Sequence, residues 1–333
     1  MRRWIFWAGV TISIVLLILS LRGLNLPDVW QALQRANLIW LLPGIAVYFV
    51  AVGVRTWRWA YLLRPQKFVP VGRLFPVVVI GYMGNNIYPA RIGELLRAWV
   101  LRRKEAVPMA FSLSTIFLER IIDGLMMAAF VLIGLPNVPN LPAELAGVLA
   151  VMSALFVAAI GVFFYLALAP ETAERLAGAL IQRIVPGRFR PKLMVFVSRF
   201  VQGAQCLRKP SDLLVIVLAT AVIWLLETWK YWFVARAFGL ESQLSYVDLM
   251  LVNGVANLFT IIPSGPGFIG TFDFGGIGTL SALGIEGSLA VVYILVLHAV
   301  LWLPVTALGG YYMLREGLRW ADLKQAETAT AGS

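Results

Sequence analysis

Long runs of apolar residues, separated by short polar segments, make up most of the chain. The first run, residues 4–21, has eighteen residues and no charge, so as an α-helix it would measure about 27 Å, close to the hydrocarbon thickness of a bilayer. Arg2 and Arg3 precede it as in a signal peptide, but no small-residue cleavage site follows, so we predict a retained first helix. Similar runs occupy residues 38–54, 125–135, 145–169, 213–226 and 289–314. The pattern predicts an all-α polytopic membrane protein.

Basic residues are confined to particular segments of the chain. Only 14% of the residues are charged, the formal net charge is +11 and the mean hydropathy is +0.82. The linkers 136–142 and 241–248 contain no Lys or Arg, whereas 23 of the 28 lie in the segments 2–3, 55–73, 91–106, 170–210 and beyond 314. By the positive-inside rule both termini are cytoplasmic, in a multi-pass protein of the cell (inner) membrane. The basic charge thus indicates lipid headgroups as partners, and no nucleic acid.

Metal and cofactor chemistry has little support in the composition. The chain has one cysteine, Cys206, which excludes an intrachain disulfide and a cysteine-based metal site. Its one histidine, His298, excludes zinc sites of the HExxH type. We predict no cofactor and no metal, and the absence of a Walker motif argues against ATP hydrolysis by this chain.

Two polar segments have both of their ends on the same side of the membrane. Residues 74–90 lie between two basic segments, and residues 245–286 lie between two segments assigned to the opposite side. We predict about six full transmembrane helices and two re-entrant helical hairpins that enter from opposite faces, or eight helices by hydropathy. Each hairpin could instead be a pair of complete short helices. Irregular backbone at membrane depth must be buried in protein or line a cavity.

One integral membrane domain, residues 1–320, then has a first half at about 38–135 and a second half at about 211–314. The connector 170–210 carries apolar residues at helical spacing between 176 and 184 and between 193 and 207. This spacing predicts two amphipathic helices that lie on the inner leaflet or pack on helix ends. We expect the tail, residues 321–333, to be disordered.

The two predicted hairpins resemble each other in sequence. "GYMGNNIYPARIGE" begins at residue 81 and "NGVANLFTIIPSGPGFIGTFD" begins at residue 253, and both run from Gly to Asn to Pro to Gly to an acid. Because they enter from opposite faces, they predict an inverted repeat of the transporter type, with a site near the bilayer midplane. Chance similarity between two turns rich in Gly and Pro is the alternative.

Three motifs resemble those of a known family. "NNIYPARIGELLRAWVLRRK" (85–104), "ERIIDGL" (119–125) and "IIPSGPGFIGTFD" (261–273) look like the membrane domains of lysylphosphatidylglycerol synthases and flippases and of their stand-alone UPF0104 relatives. Full-length synthases add a soluble aminoacyl-transferase domain, and this chain has no comparable segment. The resemblance therefore implies lipid translocation and not lipid aminoacylation, and it does not identify the lipid.

Charged residues in the first half form the first candidate site. Glu119, Arg120 and Asp123 fall at helical spacing within a crossing predicted at residues 107–135, where each charge needs a partner. They could line a site for a polar headgroup, with Glu119 also a candidate for proton coupling, or they could form a structural ion pair. From the first hairpin we select Asn85, Asn86, Arg91 and Glu94. Arg91 is the candidate for phosphate, whereas Arg97, Arg102, Arg103 and Lys104 suit anchors at the cytoplasmic surface.

The second hairpin and the helix after it complete the candidate set. The predicted substrate-binding residues here are Asn257, Ser264, Gly267, Thr271 and Asp273, because a Gly- and Pro-rich break could form an anion-binding nest. A helix cap is the alternative for Asp273. His298 could carry a proton or be a neutral, hydrogen-bonded histidine. For Glu227 and Lys230, flanked by aromatic residues, we favour a snorkelling pair in an aromatic belt.

These features predict a lipid translocase, a flippase-like protein rather than an enzyme. It would move a phospholipid, or another lipid with a charged headgroup, between leaflets by alternating access around a polar midplane cavity. An ion-coupled secondary transporter of a small solute is the alternative, and a membrane-embedded lipid-modifying enzyme or a scaffold is less favoured. The sequence allows a homo-oligomer.

Overall fold

The computed structural model describes residues 3–21, 26–88, 91–139, 169–187, 209–262 and 264–318, with a few single positions between 158 and 194. All regular structure in that part of the chain is helical, which confirms the all-α prediction. The predicted crossing at 143–169, the second amphipathic helix at 193–207 and the predicted tail at 321–333 lie wholly or almost wholly outside the described residues.

The described residues form eleven α-helices. In chain order they are α1 Arg3–Leu21, α2 Leu26–Arg35, α3 Leu41–Leu63, α4 Val71–Ile87, α5 Ile92–Glu105, α6 Met109–Gly134, α7 Pro170–Ile184, α8 Pro210–Ala237, α9 Tyr246–Phe259, α10 Thr271–Ala282 and α11 Gly287–Arg315. Prolines fix several starts: Pro70 and Pro108 precede α4 and α6, and α8 begins at Pro210. A proline suits this position because the first turn of a helix needs no donor from its backbone nitrogen.

Three segments of the described chain are long and apolar enough to cross a membrane, namely Leu38–Leu63, Pro210–Ala237 and Gly287–Arg315. α6 is also long, with 26 residues, but it carries Glu119, Arg120 and Asp123 in its middle. The protein is thus an all-helical polytopic membrane protein. α6 agrees with the crossing predicted at 107–135, although the uninterrupted apolar run within that crossing covers only residues 125–135.

Two pairs of shorter helices form antiparallel hairpins, which we call hairpin 1 (α4 and α5) and hairpin 2 (α9 and α10). The turn of hairpin 1 differs from our expectation. Residues 74–90 do not form a complete hairpin by themselves, because α4 continues unbroken to Ile87. They belong to the first arm and the turn, and α5 is the second arm. Tyr88, which precedes a proline, is extended, and Arg91 has a positive φ of 55°, so the helix ends here. In hairpin 2 the break between the arms is longer.

The packing of helices α3 to α6 is repeated by helices α8 to α11, taken in the same order. α6 packs on α9 as α11 packs on α4, and the remaining contacts within and between the halves correspond in the same way. Gly134 of α6 lies against Leu251 and Val247, and Gly309 of α11 lies against Met83 and Val79 in the same geometry. These glycines let the helix backbones approach closely.

The corresponding helices α3 and α8 run in opposite directions where they meet. Lys230 lies over the ring of Tyr48, Arg55 pairs with Glu227, and Arg58 bonds to Thr220, so residue numbers fall along α8 as they rise along α3. A shift of 172 positions between α3 and α8 converts the Tyr48–Lys230 contact into the Thr220–Arg58 contact. The same shift converts Arg55 into Glu227. Arg55 and Glu227 therefore occupy equivalent positions in the two halves.

Candidate functional site

The turn of hairpin 1 contacts the break of hairpin 2. The Arg91 guanidinium donates to the backbone oxygen of Thr260 at 3.1 Å and to its Oγ1 at 3.0 Å, and it lies 5.2 Å from the centre of the Phe268 ring. On the other side of the turn, Asn86 donates to Thr306 Oγ1 of α11 at 2.8 Å. The two irregular segments that the sequence paired are thus in direct contact.

A cavity of about 510 Å³ lies at this meeting point. Its walls come from both hairpins and from α3, α6, α8 and α11. Seven of the predicted site residues line it: Asn85, Asn86, Arg91, Arg120, Asn257, Gly267 and His298. Other side chains that line the cavity were not among the predicted site residues, including Tyr48, Arg55, Tyr82, Trp224, Glu227 and Lys230.

Asp123 lies behind the cavity wall and is completely buried. Its carboxylate accepts from Arg58 Nη1 at 2.7 Å and from Trp224 Nε1 at 3.1 Å, and Arg120 Nη2 lies 3.2 Å away. Arg55 Nη1 is a further neighbour at 3.6 Å. With both of its oxygens engaged, Asp123 holds three guanidinium groups, two from α3 and one from α6, together with the Trp224 indole of α8, rather than a ligand.

Glu119, one turn earlier on α6, has a similar role. Its Oε1 lies 3.4 Å from Arg58 Nη2, and its Oε2 lies 3.0 Å from Arg97 Nη1. The Arg97 guanidinium stacks 3.6 Å from the centre of the Trp59 ring, and only 7% of its side chain is exposed. The assignment of Arg97 to the cytoplasmic surface is therefore wrong, because Arg97 pairs with a buried carboxylate on α6. Arg102, Arg103 and Lys104 are exposed, as expected.

Arg91, Glu94 and Arg120 form the accessible part of the charged network. Glu94 Oε1 lies 3.5 Å from Arg91 Nη1 and 3.8 Å from Arg120 Nε. Side-chain exposure is 30% for Arg91 and 29% for Arg120. Both guanidinium groups border the cavity and keep free surface there. A planar group of this kind can bind a phosphate through two parallel hydrogen bonds.

Lys230 and Glu227 do not form the snorkelling pair that we favoured. They are hydrogen-bonded to each other, their side chains are 1% and 8% exposed, and Glu227 also pairs with Arg55 Nη2 at 3.3 Å. Both line the cavity, because their face of α8 packs against α3. The exposed aromatic residue of this region is Trp229. A charged pair one turn apart inside a long apolar helix was the available signal for burial.

The break of hairpin 2 is held by hydrogen bonds to α1 and to the start of α10. Gly267 and Gly270 have positive φ angles of 66° and 89°, which glycine adopts without strain. The Gly265 N–H donates to Ser13 Oγ of α1, and the Gly270 N–H donates to Asp273 Oδ2, both at 2.8 Å. These amides therefore already have partners, so the predicted anion nest has few donors left.

The other predicted residues of hairpin 2 have structural contacts. Ser264 packs on α1, where its carbonyl lies against Gly9, and buried Thr271 donates to the Phe268 carbonyl at 3.1 Å. Asn257 lines the cavity and donates to Asn253 on the preceding turn. Asp273 Oδ1 lies 2.7 Å from His298 Nδ1, and His298 Nε2 lies 2.8 Å from the Gly267 carbonyl. Ser264, Thr271 and Asp273 thus support the cavity from outside its lining.

The balance of charge in the lining indicates what the cavity can hold. Four cationic side chains line the cavity, namely Arg55, Arg91, Arg120 and Lys230. Among the described residues, Glu227 is the one carboxylate in the lining. An anionic group is favoured there because it would add hydrogen bonds to cations that are already positioned. Within the described part of the chain, no group of three or more His, Cys, Asp or Glu side chains converges as metal ligands do.

Comparisons with known proteins agree on one family. The family model described as "Lysylphosphatidylglycerol synthase TM region" matches residues 6–309. Two UPF0104 membrane proteins of Methanothermobacter thermautotrophicus are 23% and 25% identical, covering 90% and 94% of this chain and 92% and 93% of their own lengths. Glycosyltransferase AglD of Haloferax volcanii is 25% identical over 93% of this chain, which spans 54% of AglD. No solved structure gives a significant match.

Proposed function

The chain belongs to the family of the lysylphosphatidylglycerol synthase transmembrane region, and on that premise we propose that it is a lipid translocase. It moves a phospholipid, or another lipid with a phosphate-bearing headgroup, between leaflets without changing it chemically. The observation that carries the proposal is the cation-rich cavity at the contact between the two hairpins. Moving a bare ionic headgroup through hydrocarbon costs nominally tens of kcal/mol, and paired cations in a cavity reduce this cost.

Re-entrant hairpins are part of the proposal. The arms of hairpin 1 have 17 and 14 residues, and those of hairpin 2 have 14 and 12. A helix needs about 20 residues to span the hydrocarbon core, so these arms suit segments that enter part of the way. Each hairpin then brings its irregular turn to the interior of the membrane, where it is buried in protein.

The charges at the hairpin bases support entry from opposite faces. At the base of hairpin 1, Glu105 is surrounded by Lys67 and Arg73, and exposed Arg102 and Arg103 lie nearby. The base of hairpin 2 carries the acids Glu241, Asp248 and Glu286 and no Lys or Arg. We therefore keep the base of hairpin 1 and both termini on the cytoplasmic side. Arg55, Arg58, Arg91 and Arg97 no longer support that assignment, since they lie within the charged network.

An inverted repeat gives the proposal its mechanism. Because α3 and α8 correspond to each other and run antiparallel, the two halves have the relation expected of a transporter that alternates access. Rocking one half against the other would open the cavity to each side in turn. Ile261 lines the cavity and is 64% exposed, and Gly124 faces it without a side chain. This apolar edge suits the acyl chains, which stay in the bilayer while the headgroup crosses.

Filling the cavity tests the proposal without touching a charge. A Cβ added at Gly124 would meet nothing within 4 Å, so Gly124→Trp should fold and place an indole in the cavity. Gly53→Trp on α3 is the matched control, because Gly53 also has open space around it and does not line the cavity. The assay uses vesicles of phosphatidylglycerol and phosphatidylethanolamine with a fluorescent phosphatidylglycerol or phosphatidylethanolamine, bleached from outside by dithionite.

We expect the wild-type protein and Gly53→Trp to expose the inner-leaflet probe at similar rates, and Gly124→Trp to be slower by about tenfold or more. Equal rates in all three folded proteins would overturn the role of the cavity. If no phosphate-bearing lipid moves while a gradient-driven soluble ion or solute is taken up, the protein is a solute transporter instead. Mass spectrometry of the lipids after the assay should find them unchanged, and a new lipid product would identify an enzyme.

A further inference from the structure

His298 and Asp273 form a buried pair beside the cavity. His298 is the one histidine of the chain, its side chain is 13% exposed, and that of Asp273 is 1% exposed. The imidazole lies between two oxygen atoms, since Nδ1 is 2.7 Å from Asp273 Oδ1 and Nε2 is 2.8 Å from the Gly267 carbonyl. The Phe272 ring packs 5.0 Å from the imidazole and fixes its position.

Hydrogen-bond chemistry fixes the number of protons on this pair. The Gly267 carbonyl can only accept, so Nε2 must carry a proton. A ring nitrogen and a carboxyl oxygen 2.7 Å apart also need one proton between them. The pair therefore holds that second proton whether it is written as imidazolium with carboxylate or as neutral imidazole with carboxylic acid. Either way its net charge is zero.

Removing one proton cannot leave both hydrogen bonds in place. A neutral imidazole beside an ionised Asp273 keeps its proton on Nδ1, and the lone pair of Nε2 then points at the Gly267 carbonyl. Two acceptors at 2.8 Å repel each other, so Gly267 must move away. Gly267 is a residue of positive φ in the break of hairpin 2, where the backbone is not fixed by a helical ladder.

The same break holds Arg91 of the cavity. Arg91 donates to Thr260 and lies over Phe268, and Phe268 is the residue after Gly267. Movement of Gly267 is therefore transmitted to the guanidinium that we assign to the headgroup. Other elements also present charged or titratable groups to the cavity, namely Tyr48 and Arg55 of α3, Tyr82 of α4, Arg120 of α6, and Glu227 and Lys230 of α8. Helix α2 also packs on α11, and its charged residues Asp28 and Arg35 are exposed.

We propose that the His298–Asp273 pair is a proton-binding site and that translocation through the cavity is coupled to protons taken up and released there. The inference rests on the proposed function for its second part. In one access state the pair takes up one proton from water and becomes neutral, with hairpin 2 closed on His298. In the other it releases that proton to water and carries one negative charge, with the Gly267 contact broken.

Asp273→Asn is the central test, because it mimics the proton-loaded pair permanently. The asparagine oxygen can still accept from the Gly270 N–H, and its amide can donate to His298 Nδ1, so every hydrogen bond survives. Asp248→Asn is the matched control, since Asp248 caps α9 as Asp273 caps α10, and its hydrogen-bond partners include no histidine. His298→Gln is a second variant that removes the titrating ring.

Two measurements separate the proton site from the transport function. NMR of isotope-labelled histidine reports this one side chain directly, because the chain has no other. As the pH is raised, we expect Nε2 of the wild-type protein to lose its proton in one step, and that step to be absent in Asp273→Asn, whose amide keeps Nδ1 occupied as an acceptor. The flipping rate measured at the same pH values should vary about tenfold in the wild type and in Asp248→Asn, and less than about twofold in Asp273→Asn and His298→Gln.

The outcomes are distinguishable. If the pair titrates as described but no lipid moves at any pH, the proton site stands and the proposed function fails. If lipid moves while neither ring nitrogen changes its proton over these pH values, the coupling is overturned and the proposed function stands. A pH dependence that survives in both Asp273→Asn and His298→Gln also overturns the coupling, because another group must then be responsible.

Discussion

The two halves of the protein hold equivalent positions with different chemistry. Counted from the paired glycines Gly134 and Gly309, Asp123 of α6 corresponds to His298 of α11. Counted from the helix starts, Glu94 of α5 corresponds to Asp273 of α10. In the first half these positions are neutralised by arginines, which stay protonated at any physiological pH. In the second half they pair with each other, His298 Nδ1 lying 2.7 Å from Asp273 Oδ1.

This difference suggests a division of labour between the halves. An arginine network has one charge state, so the first half can present the same cationic surface to a headgroup throughout a transport cycle. A histidine–carboxylate pair has two charge states, so the second half can respond to the pH of its surroundings. The Arg91 contact with Thr260 joins the two regions where the hairpins meet.

The sharpest test of the comparison replaces one aspartate in each half. Asp123→Asn leaves Arg58 and two neighbouring guanidinium groups without a full counter-charge in a buried site, so we expect a loss of about 3–5 kcal/mol in unfolding free energy. Asp273→Asn keeps its hydrogen bonds and should cost less than about 1.5 kcal/mol. Unfolding in detergent, followed by tryptophan fluorescence, measures both. Similar losses in the two variants would show that the halves do not differ in this way.

A second test concerns the headgroup. Arg120 of α6 borders the cavity, and its counterpart on α11 by the same glycine correspondence is Leu295, which is 40% exposed. We expect Arg120→Ala to slow lipid flipping by about tenfold or more, because it removes a phosphate donor, and Leu295→Ala to change the rate by less than about twofold. Folding is checked by monodisperse elution in detergent. An unchanged rate in a folded Arg120→Ala protein would remove Arg120 from the site.

The smallest expected effect lies at the starts of the counterpart helices α6 and α11. Glu286 accepts from the backbone N–H groups of Ser288 and Leu289, and these bonds lower the pKa of its carboxyl below the usual value; α6 has no side-chain cap. A lowered pKa contributes stability above the ordinary pKa and loses it as the pH falls through the folded value. Because Glu286 is well exposed, we expect Glu286→Gln to cost only about 0.5 kcal/mol at neutral pH.

That cost should shrink as the pH falls below the ordinary pKa of glutamate and through the lowered pKa of the folded protein, since the wild-type carboxyl then becomes protonated as well. Thermal unfolding of the two proteins at neutral and acidic pH gives the comparison. A difference in melting temperature that is constant with pH would mean that the charge of Glu286 contributes nothing to the start of α11.

The sequence was sufficient for the features that depend on local pattern. The Gly- and Pro-rich breaks predicted that the two irregular segments belong together, although α4 continues further than expected, and the acids Glu94 and Asp273 proved to be counterparts. The asparagines of the two motifs are not counterparts in the way that their order in the sequence indicates. Met83 and Leu251 are equivalent because each packs on one of the paired glycines, and the same shift pairs Asn85 with Asn253 and not with Asn257. The longer break in hairpin 2 displaces the motif.

Long-range pairing could not be read from the chain. Arg55 and Arg58 lie near a basic loop and were counted as cytoplasmic charges, yet their partners are Glu227 and Glu119 on other helices. Arg97 was misassigned for the same reason. Charge alone does not distinguish a surface anchor from a buried ion pair; the distinction requires the packing partner. A pair of arginines one turn apart within the apolar segment Leu38–Leu63 was the clue available.

The bridge between Arg55 and Glu227 has a consequence for how this chain arose. If the halves descend from one duplicated gene, the ancestral homodimer would have placed identical residues face to face at that axis, either two arginines or two glutamates. Opposite charges would become possible only once the two copies could diverge. On that descent the bridge would favour pairing between the halves over self-association of either one, because two copies of Arg55 repel each other whereas Arg55 and Glu227 attract.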